Sequence, residues 1–208
     1  MEIKTLDVQG FEAAIAGMRN PLKSYGKADS VECDGVWQMG DNDLDLAQRL
    51  IKAGPEHRKF LRMIWVWADI TAPRFWWSEY DTYKVATAAN SESTMHKLKD
   101  EDINRDLFEF DWGEDPNMDR AFDEWIKSLN QMQDKLNAEE DPAKKKTYHR
   151  MLKAMLPESF LQKRTVCINY ETIRTMYHQR KTHRLPQWSD VFCEWVESLP
   201  YSEFLTGN

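Results

Sequence analysis

The sequence predicts an α+β fold, a central sheet flanked by helices within one domain spanning residues 1–208. Three strand-like stretches, residues 3–8, 63–70 and 165–169, supply the sheet, and apolar residues at helical spacing between them supply the helices. Everything else is read against residues 64–96. Residues 64–70 are apolar on both faces apart from Asp69, the pattern of a strand buried between two layers. Thr71-Ala72-Pro73 then turns the chain, and Pro73 suits the first turn of a helix, where its missing N–H has no partner to lose. That helix carries Arg74, Trp76, Trp77, Glu79, Tyr80, Tyr83 and Lys84 and runs into a small polar loop, residues 86–94. A loop leaving a strand–helix unit is a place for a ligand. On the plainer alternative the two tryptophans are core and the loop is only a connection.

The flanking elements follow in order. Phe11, Ile15 and Met18 share one face of a helix that stops before Asn20-Pro21, because the residue before a proline avoids the helical region. Residues 20–40, with Gly26, Asp34-Gly35 and Gly40, have little period and read as loop with a short strand around Val31. Asp41-Asn42-Asp43 offers N-cap side chains, and Leu44, Ala47, Leu50 and Ile51 continue the helix until Gly54-Pro55. Residues 56–63 lead into the organising strand. Further on, Met118, Phe122, Trp125, Leu129, Met132 and Leu136 alternate steps of four and three, a seam that packs either in the core of the same subunit or against another. Asp141-Pro142 opens the next helix, with Tyr148, Met151, Leu152 and Met155 facing inward and Lys144-Lys145-Lys146 solvated. Residues 171–180 and 187–199 read as the last two helices.

Composition removes several function classes. No apolar run reaches the roughly 18 residues of a membrane span, and the opening MEIKTLDVQG lacks the basic and apolar regions of a secretory signal. Cys33, Cys167 and Cys193 are odd in number and far apart, which fits free thiols in a reducing compartment, so a cytoplasmic protein is expected. His57, His96, His149, His178 and His183 never pair with cysteines at ligand spacing, and no metal site is expected. A net charge of −7 and a pI near 5.3 argue against direct nucleic-acid binding through a basic face. The charge is uneven: residues 100–124 hold eleven acids against Arg105 and Arg120. Nucleophile-elbow, phosphate-loop and dinucleotide-binding motifs are missing from the sequence, as are paired carboxylates on a common helix face.

Ala72-Pro73, Phe75, Tyr80, Thr82-Tyr83-Lys84, Thr87, Asn90 and Ser93 fall in step with APxFxxxxWxxxRHRxxSxNExSxRY, the signature of flavin-dependent thymidylate synthases. Leu156-Pro157, residues 166–169, Ile173, Arg180 and Gln187-Trp188 resemble that family's second block, and the sequence looks most like its divergent, phage-encoded branch. Together with the periodicities, the resemblance implies a central, mostly antiparallel sheet flanked by helices, as in the thymidylate synthase-complementing proteins. It further implies a homotetramer whose sites lie between subunits, a pyrimidine nucleotide as substrate and FAD as cofactor. Such chemistry is carried by the cofactor, and the protein binds and orients.

Carried over by position, the flavin-gripping arginine-histidine-arginine trio stands here at Thr82, Tyr83 and Lys84, with Thr87 and Asn169 also on the cofactor. Asn90, Ser93, His96, Arg174 and Gln187 fall to the substrate, and Arg180 matches the catalytic arginine that orients the uracil ring. Of the trio only Lys84 is cationic, and a lysine does not make the bidentate contact of an arginine. Glu171 places a carboxylate where the family's arginine meets a phosphate, so Arg174, one turn further on, is the residue that has to swing in. A retained scaffold that does not methylate deoxyuridylate efficiently is the expectation. Were it active, it would be a flavin- and folate-dependent one-carbon transferase acting on a pyrimidine nucleotide. A different class also stands: a non-catalytic phage protein whose acidic residues 100–124, with Phe108, Phe110 and Trp112 among them, imitate a nucleic-acid backbone and dock on a basic host protein. The same stretch also reads as a solvated acidic loop.

Overall fold

The computed structural model describes residues 1–94, 98, 102–109 and 115–207. Its strands are β1 (Glu2–Gln9), β2 (Val31–Cys33), β3 (Val36–Gln38), β4 (Trp65–Pro73), β5 (Thr87–Ser91) and β6 (Leu161–Asn169). An antiparallel four-stranded sheet runs β1-β4-β6-β5, and β2 and β3 form a separate hairpin. The architecture is the α+β arrangement the sequence predicts. The chain clusters into two compact bodies, one of residues 2–70, 83–89 and 165–208, the other of residues 1, 71–82 and 90–164.

In the first body the core follows from alternation on β4. Ile64, Val66, Ala68 and Ile70 are fully buried while Trp65, Trp67 and Asp69 are half-buried. Contrary to the two-layer expectation, only one face is sealed. The other carries a polar pair, Asp69 accepting from the Thr165 hydroxyl at 2.6 Å. The hairpin turns at Asp34 and Gly35, both with positive φ (52° and 76°), the conformation in which an Asp-Gly pair matches strand twist. Helix α1 (Phe11–Gly17) leads to a loop braced against α2 (Asp41–Ala53) by a buried ion pair, Arg19 Nε to Asp43 Oδ1 at 2.6 Å. The predicted N-cap moves: Asp29 supplies the capping carboxylate, accepting from the N–H groups of Asn42 and Asp43 at 2.9 and 3.0 Å.

The second body begins with α3 (Arg74–Tyr80), where Trp76 and Trp77 are core and the Trp77 indole donates to Gln162 O at 2.9 Å. This helix stops four residues earlier than the sequence suggests. Thr82 Oγ1 turns back onto Glu79 O at 2.7 Å, and Arg164, stacked 4.2 Å over Trp77, holds Asp81 at 2.8 Å. The body is completed by α4 (Pro116–Ala138), packed on α5 (Pro142–Met155). Phe122, Leu129 and Leu136 are buried in their shared cluster, but Trp125 is 42% exposed and Met118 44%, so the seam runs through Ile126 instead. The predicted loop 86–94 is in part an edge strand, β5. Its residues Thr-Ala-Ala-Asn-Ser are mostly exposed, which is why no apolar alternation marks it.

Candidate ligand site

The carboxyl-terminal part of the first body builds the site. β6 passes directly into α6 (Tyr170–Arg180), and Asn169 caps that helix: its Oδ1 accepts from Thr172 N at 3.0 Å while its Nδ2 donates to Arg62 O at 3.4 Å. Buried and bonded at both ends, Asn169 works as a structural cap. On the next residue but one, Glu171 is gripped by Arg58, Nε at 3.0 and 3.1 Å from its two oxygens and Nη2 at 3.0 Å from one. Nothing in the sequence marks Arg58, which lies in the bland segment before β4. The Thr172 hydroxyl donates to Val85 O at 3.0 Å and so ties this turn to the segment carrying Tyr83, Lys84 and Thr87, itself closed by Thr87 Oγ1 donating to Tyr83 O at 2.8 Å.

At the other end of α6, the Tyr83 hydroxyl accepts from Arg180 Nε at 3.0 Å and donates to Gln179 Oε1 at 2.8 Å. The Arg180 guanidinium stacks 4.7 Å over the buried Trp188 ring. Trp188 reaches that position because residues Gln187–Phe192 form a π-helical turn before the short helix α7 (Cys193–Glu197), where the sequence suggests one regular helix. Such wide turns recur at functional sites. Arg174 is elsewhere. It is 5% exposed and donates to Phe204 O and Leu205 O, the carbonyls of helix α8 (Glu203–Thr206), at 3.0 and 3.2 Å. Burial lowers its pKa, with Arg58 adding to the effect. Its charge is spent on the C-terminal helix, so it does not swing in to replace a cation at Glu171.

The structure therefore places Tyr83, Arg180 and the Gln187 turn towards the end of α6 and Asn169 at its start, all in one body with Thr87, leaves Lys84 exposed, and withdraws Arg174. Asn90 and Ser93 are exposed and belong to the other body, and His96 lies outside the described residues. A cavity of about 690 Å³ also opens in the first body, floored by Met18 and Phe60 and bordered by Leu46, Leu50, His57 and Lys59. Among the described residues no group of histidines, cysteines and carboxylates could hold a metal ion, and no helix is long and apolar enough to cross a membrane.

The arrangement of helices around this antiparallel β1-β4-β6-β5 sheet is the fold of the flavin-dependent thymidylate synthases. The flavin-dependent thymidylate synthase ThyX of Helicobacter pylori, solved with FAD and dUMP, shares it at a TM-score of 0.73 and 16% identity over 98% of this chain and 96% of that one. A second structure of that enzyme with FAD and dUMP gives 0.73 and 17% over the same shares. The UMP/dUMP methylase PolB of Streptomyces cacaoi, bound with 5-Br dUMP, gives 0.63 and 14% over 99% and 94%. No family model matches the chain, and no curated protein does.

The residues at the trio's positions offer a flavin less charge than the motif does. Thr82 Oγ1 is bonded to its own helix, the Tyr83 hydroxyl to Gln179 and Arg180, and the Asn169 amide to backbone, which leaves Lys84 as the one cation of the trio. No clamp for a pyrophosphate is formed there.

Proposed function

We propose that the chain is a diverged flavin-dependent thymidylate synthase-like protein of phage type that binds a nucleotide-related or flavin-related ligand and is not an efficient dUMP methylase. The observation that supports this reading is the pairing of Glu171 with Arg58 inside a ThyX-like fold: at the position the resemblance gives to a phosphate-binding arginine stands a carboxylate already matched by another side chain. Tyr83, Lys84 and Thr87 contribute one wall, Arg180 and Gln187 the other, and a homotetramer in the host cytoplasm is the assembly we assign. Asn90, Ser93 and His96 are assigned to the substrate by their positions in the motif.

A purified preparation tests it directly. Little or no tritium release from labelled deoxyuridylate is the expected result, the visible flavin bands reading separately whether a flavin is held, whereas a yellow, tritium-releasing protein overturns it. Light scattering tests the assembly, and a 24.6 kDa monomer removes it. The acidic-docking reading is the poorer one. Arg105 already draws Asp119 and Asp123 into ion pairs at 3.2 and 2.8 Å, and Asp115 caps α4. Residues 100, 101 and 110–114 of that stretch lie outside the described residues.

A further inference from the structure

We propose that the cavity between α1, α2 and the segment before β4 is a binding site for an aromatic molecule carrying one negative charge. None of the residues assigned to cofactor or substrate by position lines it, so it stands apart from the pyrimidine-type reading. All of its lining belongs to the first body, and its volume of about 690 Å³ falls in the range of small-molecule sites. Local sequence builds its walls. Leu46 and Leu50, one turn apart on α2, share a face, while their neighbours Ala47 and Ile51 turn into the core. Met18, at the end of α1, and Phe60 make a floor only 8% and 4% exposed, and the Phe60 ring is fixed edge-on against Phe204 with centroids 5.9 Å apart.

The rim sets the ligand's character. Leu22 and Met63 stay 81% and 47% exposed there, apolar surface that the chain's own core leaves uncovered. The charged side chains of the lining, Glu56, His57 and Lys59, come from one short stretch, a turn closed by the N–H groups of His57 and Arg58 on Gly54 O at 3.0 and 3.1 Å. Among the described residues the side chains of His57 and Lys59 have no hydrogen-bond or ion-pair partner, whereas Arg58 between them is taken by Glu171. Two open donors stand against the single carboxylate of Glu56. That balance accepts one negative charge and opposes a dianion. An apolar floor with its charges confined to one stretch calls for a ligand divided in the same way, an apolar body with one charged end. The body is a ring, because the thioethers of Met18 and Met63 and the edge of Phe60 make their favourable contacts with aromatic systems.

Fluorescence titration of the intact protein with phenylnaphthylamine and anilinonaphthalenesulfonate, one aromatic body without and with a negative charge, tests this. Both dyes should bind at about one per chain. Lys59→Glu, a change at an exposed position, should weaken the sulfonate about tenfold and leave the neutral dye within about twofold. Leu46→Trp fills the cavity and should weaken both dyes about tenfold or more. Failure of the neutral dye to bind the intact protein overturns the proposal, and so does binding of both dyes undiminished by Leu46→Trp, which puts them elsewhere on the surface. A sulfonate affinity unchanged by Lys59→Glu overturns it as well, because the ligand's charge then has no seat at the rim. Should Leu46→Trp fail to fold by circular dichroism, Leu50→Trp replaces it, with the same loss expected and its absence equally decisive.

Discussion

Arg58 and Glu171, 113 positions apart in sequence, meet through three contacts of 3.0 to 3.1 Å that engage two guanidinium nitrogens and both carboxylate oxygens. The pair joins the segment before β4 to the start of α6.

That geometry makes the pair a stabilising contact. Arg58→Ala is expected to cost roughly 1–3 kcal/mol in urea unfolding, the range for charge-assisted bonds. The exchanged double variant Arg58→Glu/Glu171→Arg should recover at least about half of it. Losses that simply add in the double variant would show that the two side chains do not interact.

The Arg19–Asp43 pair is buried more deeply, with side-chain exposures of 3% and 2%. Burial pushes the Asp43 carboxyl up, but bonds from Ser30, Arg19 and Asp29 outweigh it and hold the group below its ordinary value. Asp43→Ala should therefore cost about 3–5 kcal/mol by stranding Arg19. A carboxyl with a depressed folded pKa stabilises fully above its unfolded value near 3.9, and the contribution is lost as pH falls through the lower folded value. Melting curves of the intact protein and Asp43→Asn are expected to converge below about pH 4, and a constant gap would contradict the assignment.

His178 titrates in the opposite direction of charge. Its imidazole is held below the usual value by burial first and then by Arg174 and Lys181, and its Nε2 is enclosed without a hydrogen-bond partner. The neutral form is the one that fits, so stability is complete above the unfolded value near 6.5 and declines as pH drops towards the folded one. The intact protein should lose melting temperature between about pH 7.5 and 5.5, and His178→Gln should lose less.

Along α4, Leu129 is fully buried while Trp125 is 42% exposed. Leu129→Ala should cost about 2–5 kcal/mol, and Trp125→Ala should stay within about 0.5 kcal/mol. Equal losses would place Trp125 in a buried interface that the monomer does not display.

The flavin reading has its own gain-of-function check. Replacing Thr82, Tyr83 and Lys84 by arginine, histidine and arginine restores the trio's charge, and FAD affinity by fluorescence quenching should rise by about tenfold or more. No change would mean that features beyond these three positions exclude the cofactor.

How much of this was legible beforehand differs element by element. Strand β4 was readable because a local apolar run encodes it, but it continues through the turn expected at 71–73 to Pro73, the extended N-cap of α3; the match of positions 72–93 to a known motif pointed to the fold. Edge strand β5 was not, since a mostly exposed strand has no apolar alternation to show, and the π-helical turn at 187–192 leaves the side-chain spacing of an ordinary helix almost untouched. The Asp34-Gly35 turn could have been read as a hairpin from its dipeptide alone.

The candidate site divides in the same way. Residue identity alone determined that only Lys84 of the trio's positions is cationic, that a carboxylate, Glu171, stands where the motif has an arginine, and that Arg180 matches the motif. Only the tertiary structure decided where the compensating charges go: Arg58 reaches Glu171 from the segment before β4, and Arg174 is drawn to the carbonyls of Phe204 and Leu205. Partners separated by 113 and 30 positions are chosen by packing, and no local sequence pattern encodes a contact between residues that meet only when the core closes.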